Sequence, residues 1–112
     1  MAQSITFKLS VLLLREGETW VAQCLEYDLA AQGKSLAEVK DAFAKTFCGQ
    51  IMVDLHHAVE PLGSFAQAPK RYWYLFKNAE RLADRQHLPI PQEAIPPAYM
   101  IRAMADDIRI CA

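Results

Sequence analysis

Hydrophobic and polar residues alternate along residues 5–14 in the way expected of a β-strand. The odd positions are all apolar, which predicts that one face of the strand is buried. The even positions begin polar and become apolar at Leu12 and Leu14. The second half of this strand is therefore either covered on both faces or in contact with a partner.

Two further strands follow at short intervals. Residues 19–27 form a second strand with apolar residues on both faces, after a compact turn in which Gly17 is able to take a positive φ. Such a short connection predicts an antiparallel hairpin. Residues 29–32 form a short third strand that ends at Gly33.

A long amphipathic helix is predicted after this strand unit. Ser35 is a suitable N-cap, and Glu38 three residues later completes a capping box. Pro61 ends the helix near Glu60. A second apolar row widens the apolar face towards this end, so the end packs against a later segment or another subunit. The main apolar stripe consists of Leu36, Val39, Phe43, Phe47 and Ile51.

The last third of the chain has weaker patterns. Residues 69–85 fit a second helix, with an aromatic strand as the alternative. Residues 88–97 form an extended, proline-rich linker. Residues 99–110 fit either a helix or two short strands around the Asp106–Asp107 pair, and we favour strand.

Together these elements predict an α+β fold. The fold begins with an antiparallel three-stranded sheet followed by one long helix, in the order β-β-β-α. A second helix follows, and then an extended C-terminal segment that can add a strand. We assign residues 1–60 to the ββ(β)α unit and residues 61–112 to an extension packed on the same domain. A chain of 112 residues is long enough to form one domain with its own core.

Composition and charge narrow the class of protein. The formal net charge of −1 argues against a protein that coats nucleic acid or a membrane surface. Residues 1–68 carry five Lys/Arg and eight Asp/Glu, a balance of −3, and residues 69–112 carry seven and five, a balance of +2. The three cysteines form no CxxC pair, which favours free thiols in a reducing compartment. Since no run approaches the roughly 20 apolar residues of a membrane span, we expect a cytoplasmic protein.

The sequence has none of the usual catalytic or ligand-binding patterns. His56 and His57 are adjacent and would point about 100° apart on a helix, and no HExxH, paired CxxC, GxGxxG or P-loop spacing occurs. The first strand has no carboxylate to join Glu26 and Asp28 in a metal-dependent nuclease site. We therefore predict no catalytic residue, no metal and no cofactor.

Residues 70–77, KRYWYLFK, interleave cations with aromatic side chains, as a nucleic-acid stacking surface does. On a helix, Tyr72, Leu75 and Phe76 would instead face the core, and Trp73 would lie outside with the charges. We favour core packing for this segment, with Trp73 as a candidate contact for a partner.

The first half of the chain resembles the HicB-like antitoxin domain. The resemblance lies in GETWVAQCLEYDLAAQG followed by KSLAEVKDAFAKTF, and it covers residues 5–55. The proline-containing segment typical of that family is replaced here by CLEYDLA, and residues 61–112 show no recognisable ribbon-helix-helix or helix-turn-helix. The matching positions are Gly17, Trp20, Gly33, Ser35, Leu36, Glu38, Ala42 and Ala44.

The resemblance implies a truncated RNase H-like fold that has lost catalysis, and a role in sequestering a small ribonuclease toxin of the HicA type. We therefore expect a protein–protein interaction module and not an enzyme. One alternative is a DNA-binding transcriptional regulator that uses the C-terminal region. Another is a standalone protein with a ligand pocket lined by Cys48 and by His56 or His57.

We also expect the chain to bind itself, as a dimer or a larger oligomer, and to make no contact with a membrane. A small sheet with a long helix leaves apolar surface that one chain of this length covers poorly. The residues we predict to bind partners are Trp20, Leu12, Leu14, Met52, Leu55 and Trp73.

Overall fold

The computed structural model describes residues 3–111 of the chain. This part contains six strands, two α-helices and one 3-10 turn at Gln92–Ala94. The other elements, in chain order, are β1 (Gln3–Glu16), β2 (Thr19–Cys24), β3 (Ala30–Gly33), α1 (Leu36–His56), α2 (Lys70–Lys77), β4 (Glu80–Arg81), β5 (Gln86–Leu88) and β6 (Tyr99–Cys111). The strands form one sheet in the order β3-β2-β1-β6-β4, and β5 pairs with a different part of β6.

The fold is α+β as predicted, but its sheet is mixed and not an antiparallel sheet of three strands. The pairs β1–β2 and β2–β3 are antiparallel, as the sequence indicated. On its other side β1 pairs in parallel with β6, and β4 and β5 add to β6 in antiparallel fashion. The C-terminal segment therefore supplies a long inner strand of the sheet.

β6 is one continuous strand, so the preference for strand over helix at residues 99–110 is confirmed, but the division into two short strands is wrong. Its pairing with β1 shifts register once, at Asp106, which is an extra residue in a β-bulge. Side chains of a strand alternate between faces, so one extra residue moves the buried positions from odd numbers such as Ala105 to even numbers such as Ile108. Because of this shift, the spacing of apolar residues in the sequence resembles that of a helix.

α1 lies across one face of the sheet and builds the main core. The helix begins after Ser35, whose Oγ accepts a hydrogen bond from the backbone N–H of Glu38 at 3.1 Å. β3 and α1 approach closely at Gly33, where an added Cβ would lie 2.6 Å from the backbone nitrogen of Val39. Only glycine fits there. The main core includes Phe7, Leu9, Val11, Val39, Phe43, Phe47, Ile51, Leu88, Ile101 and Ile108.

α1 ends at His56, four residues before the predicted end at Glu60. The chain turns at Ala58, which adopts a positive φ of 55° and so cannot continue the helix. The buried carboxylate of Asp54 then fixes the loop, because its Oδ2 accepts a hydrogen bond from the backbone N–H of Leu62 at 2.7 Å.

α2 packs on the opposite face of the sheet, over the second half of β1. It is a helix as predicted, but it ends at Lys77, and the rest of the predicted range 69–85 is wrong because the chain turns there and pairs with β6 as β4. Leu12 is fully buried in this second cluster together with Phe76. The second half of β1 is thus covered on both faces. Trp73 is half-buried against the same cluster and does not lie outside with the charges.

Candidate interaction site

The parallel pair of β1 and β6 is covered on only one face along its first half. α1 covers the face that carries Phe7 and Ile101, which are both buried. α2 packs on the other face only at its far end, around Leu12 and Leu14. The residues left uncovered, which we call the bare face, are Ser4, Thr6, Lys8, Met100, Arg102 and Met104.

Two adjoining grooves run across the bare face. Their volumes are about 220 Å³ and about 280 Å³, and both are lined by Thr6 and Arg102. His87 of β5 lines the larger groove. Met100 lines the smaller one and is 46% exposed, a high value for a large apolar side chain. The bare face therefore combines apolar surface with concave shape.

The bare face carries cations that are not neutralised by neighbouring carboxylates. Lys8 and Arg102 form no ion pair within residues 3–111. The two carboxylates of β6 are engaged elsewhere: Asp106 pairs with Arg85 at 3.3 Å, and Asp107 pairs with arginines of β4 and β6. A partner that covers this face would meet two uncompensated positive charges.

The same half of β1 has an unpaired backbone edge. β2 pairs with residues 11–16 of β1, so residues 3–9 pair with β6 alone. The C=O of Ser10 points towards the β2 side, where it accepts a hydrogen bond from Leu25 N–H at 3.0 Å. Backbone groups of successive strand residues point to opposite edges. The residues that face the β2 side without a strand partner, within the described part of the chain, are Ser4, Thr6 and Lys8.

The carboxylate of Glu26 ends this free edge at Ser10. The N–H of Ser10 donates a hydrogen bond to Glu26 Oε1 at 2.8 Å, so strand pairing stops there. Tyr27 then leaves the sheet and packs edge-to-face on Phe7, with 5.8 Å between ring centroids. The free edge therefore begins at Lys8 and runs towards the start of β1.

The six residues predicted to bind partners do not form one surface. Leu12 is fully buried beneath α2, so the prediction is wrong for this residue. On the same face, Leu14 and Trp73 pack against the second cluster and keep part of their surface exposed. On the α1 side, the residues that pack partly buried against the main core are Trp20, Met52 and Leu55.

The histidine and cysteine side chains considered for chemistry lie at separate places in the fold. His56 and His57 are exposed at the end of α1, and neither lines the groove of about 430 Å³ between α1 and Pro89 that Cys48 borders. Burial raises the pKa of the Cys24 thiol to about 12, which makes it a poor nucleophile. Within residues 3–111, no three His, Cys, Asp or Glu side chains are placed to hold a metal ion.

Sequence reasoning missed the bare face because half of it belongs to β6. The polar even positions of β1, Ser4, Thr6 and Lys8, do indicate an exposed face. Their neighbours across the strands, such as Arg102 opposite Thr6, follow only from the parallel register. No pattern within one segment could have brought these residues together.

No family model, curated protein or solved structure matches the chain. Between residues 3 and 111, no helix has both the length and the apolar character needed to cross a membrane. The geometry of the bare face and the free edge is therefore the basis for assigning a function.

Proposed function

We propose that this chain is a protein–protein interaction module, similar to a HicB-type antitoxin, which sequesters a small ribonuclease toxin by covering it with the bare face. The observation that carries the proposal is that, among residues 3–111, no element covers one face of the parallel β1–β6 pair along its first half. Parallel strands usually occur in sheets whose two faces are both covered. A partner that packs on the bare face would supply the missing layer.

The local architecture supports the same role. The hairpin, third strand and capped helix α1 are the unit on which the resemblance to HicB-like antitoxins rests. The role is one of binding, so the purified chain should not hydrolyse RNA. It also fits a cytoplasmic protein, because a ribonuclease toxin acts there and all three cysteines are free thiols.

The test is capture and neutralisation of the product of a short reading frame encoded beside the gene for this chain. A matched pair of variants locates the contact: Met100→Asp and Val53→Asp both place a carboxylate at a half-exposed apolar position, on the bare face and on α1 respectively. We expect Met100→Asp to weaken binding at least tenfold and Val53→Asp to leave it unchanged. Absence of any neutralised toxin, or the reverse pattern of variants, would overturn the proposal.

Nucleic acid is a second candidate partner, favoured by one observation. Lys8 and Arg102 lie on the same exposed face of the sheet, and neither forms an ion pair with any residue between 3 and 111. Phosphates bound there would release counterions, so affinity would fall steeply as salt increases. Binding of DNA from the upstream region at low salt, abolished by Arg102→Glu, would favour this candidate; no binding at low salt would remove it.

A further inference from the structure

We propose that the free edge of β1 is the homodimer interface, where β1 pairs with β1 of a second copy about a two-fold axis centred on Thr6. This inference goes beyond the proposed function, since it concerns the backbone groups at the edge of β1 and not the side chains of the bare face. Exposed, unpaired strand edges promote association and are normally blocked in monomers by bulges, prolines, charged side chains or very short strands. Within residues 3–9, β1 has no bulge or proline, and its one charged side chain, that of Lys8, lies opposite Ser4 in the pairing proposed here.

The direction of the backbone groups fixes the pairing. A two-fold axis requires antiparallel strands with the same residues on both sides. When Thr6 faces Thr6 of the other copy, Ser4 faces Lys8 and Lys8 faces Ser4, and all of these residues point their N–H and C=O groups to the free edge. Each such pair exchanges two hydrogen bonds, so the interface gains about six.

The side chains are compatible with this register and not with its neighbour. On the α1 side Ile5 lies opposite Phe7 of the other copy, which forms an apolar cross-strand pair next to the core. On the bare side Lys8 meets Ser4, so no like charges are opposed. A register centred on Lys8 would place two ammonium groups face to face, which is unfavourable. Glu26 also prevents pairing from extending past Ser10.

The experiment uses one substitution that removes a single donor. Thr6→Pro deletes the N–H that points to the free edge but no hydrogen bond of the β1–β6 ladder, and proline is tolerated at such edge positions. Light scattering after size exclusion should give a dimer for the wild type, a monomer for Thr6→Pro and a dimer for the matched control Thr6→Ala. Circular dichroism should show that Thr6→Pro keeps its fold.

Cysteine cross-linking tests the register without depending on that fold. In a chain with Cys48→Ser and Cys111→Ser, Thr6→Cys would bring two Cα atoms to about 5.5 Å, within the disulfide range. Lys8→Cys would leave its two copies about 13 Å apart, four residues along the strand. We expect Thr6→Cys to oxidise to a covalent dimer at least tenfold faster than Lys8→Cys.

A wild-type monomer at micromolar concentration, or equal cross-linking at both positions, would overturn the proposal. So would a folded Thr6→Pro variant that remains dimeric. The two proposals fail separately, because toxin capture is scored with Met100→Asp, which leaves the backbone edge of β1 intact, and dimerisation is scored by the oligomeric state of the chain without toxin. A Met100→Asp variant that remains dimeric but loses toxin binding would support both.

Discussion

Asp54 is a buried carboxylate whose two oxygens organise the loop after α1. Oδ2 accepts a hydrogen bond from Leu62 N–H at 2.7 Å, and Oδ1 accepts one from Gln50 Nε2 at 3.0 Å. Leu62 is fully buried, so its backbone N–H is shielded from water and needs this acceptor. The residue also holds a positive φ of 62°. We expect Asp54→Ala to lower the free energy of unfolding by about 1–3 kcal/mol, because it leaves a buried N–H unsatisfied.

Asp54→Asn is the matched control, since its amide oxygen still accepts the hydrogen bond from Leu62. Urea unfolding should show a clearly smaller loss for asparagine than for alanine. Equal losses would mean that the hydrogen bond to Leu62 is not what the carboxylate contributes.

Cys24 provides a test of stability against pH. Burial raises the pKa of its thiol from the ordinary 9.0 to about 12, and the nearby Glu26 carboxylate adds to this rise. Below pH 9 both folded and unfolded chains keep the proton. Between pH 9 and 12 the unfolded chain binds fewer protons than the folded chain, so stability falls as pH rises, by up to about 1.4 kcal/mol per pH unit.

Cys24→Ala removes this contribution but keeps that of Tyr27, whose pKa is also raised, mainly by burial. We therefore expect the free energy of unfolding to fall less steeply for the variant than for the wild type between pH 9 and 11. Urea unfolding under reducing conditions measures both slopes. Parallel slopes would show that the folded thiol titrates normally.

For single residues, the sequence correctly predicted structural roles that involve only the neighbouring backbone. Its predictions were wrong for residues whose surroundings depend on another element. Ser35 caps α1 and Gly17 takes a positive φ, as expected, because both act on neighbouring backbone. Leu12 was assigned to a partner, but α2 buries it. Trp73 was assigned to the exterior, but it packs on the sheet. Nothing in the sequence near either residue indicates which face α2 would cover.

The β-bulge in β6 leads to a prediction about the register of this strand. Leu9 pairs with Ala105 and Ser10 with Asp107, so deletion of Asp106 would join two correct registers into one regular strand. The deletion also removes the ion pair of Asp106 with Arg85, which is partly exposed and contributes little. We expect the deletion variant to fold and to unfold cooperatively on heating, with a modest change in midpoint.

Deletion of Met104 is the control, because it removes one residue from the same strand on the regular side of the bulge. The strand would then either turn Ile101 and Ala103 away from the core or place the carboxylate of Asp106 in it. We expect loss of cooperative unfolding. A Met104 deletion as stable as the Asp106 deletion would show that the bulge does not set the register.

The elements that sequence predicted well are those built from contiguous residues. The hairpin, β3 and α1 follow from local periodicity, a turn glycine and a cap, and the structure contains all of them. The parallel partner of β1 could not be predicted, because the register shift at Asp106 breaks the alternation of β6. The bare face was missed for the same reason, since it needs β1 and β6 together.

For the whole molecule, pairing at Thr6 would have a consequence for the bare face. A two-fold axis perpendicular to the sheet keeps Thr6 and its counterpart on the same side. The bare faces of the two copies would then form one continuous surface, with Lys8 and Arg102 of each copy contributing to it. Under the proposed function, a toxin dimer or two toxins would bind there with the advantage of two linked sites.

Dimerisation through β1 also makes thermal stability depend on protein concentration. When folded chains are paired and unfolded chains are not, mass action stabilises the folded state more at higher concentration. We expect the unfolding midpoint of the wild type to rise over a hundredfold increase in concentration, and that of Thr6→Pro to stay constant. Thr6→Ala should behave like the wild type, since its backbone N–H is intact. Differential scanning fluorimetry can measure all three, and a wild-type midpoint independent of concentration would mean that the edge of β1 is unpaired in solution.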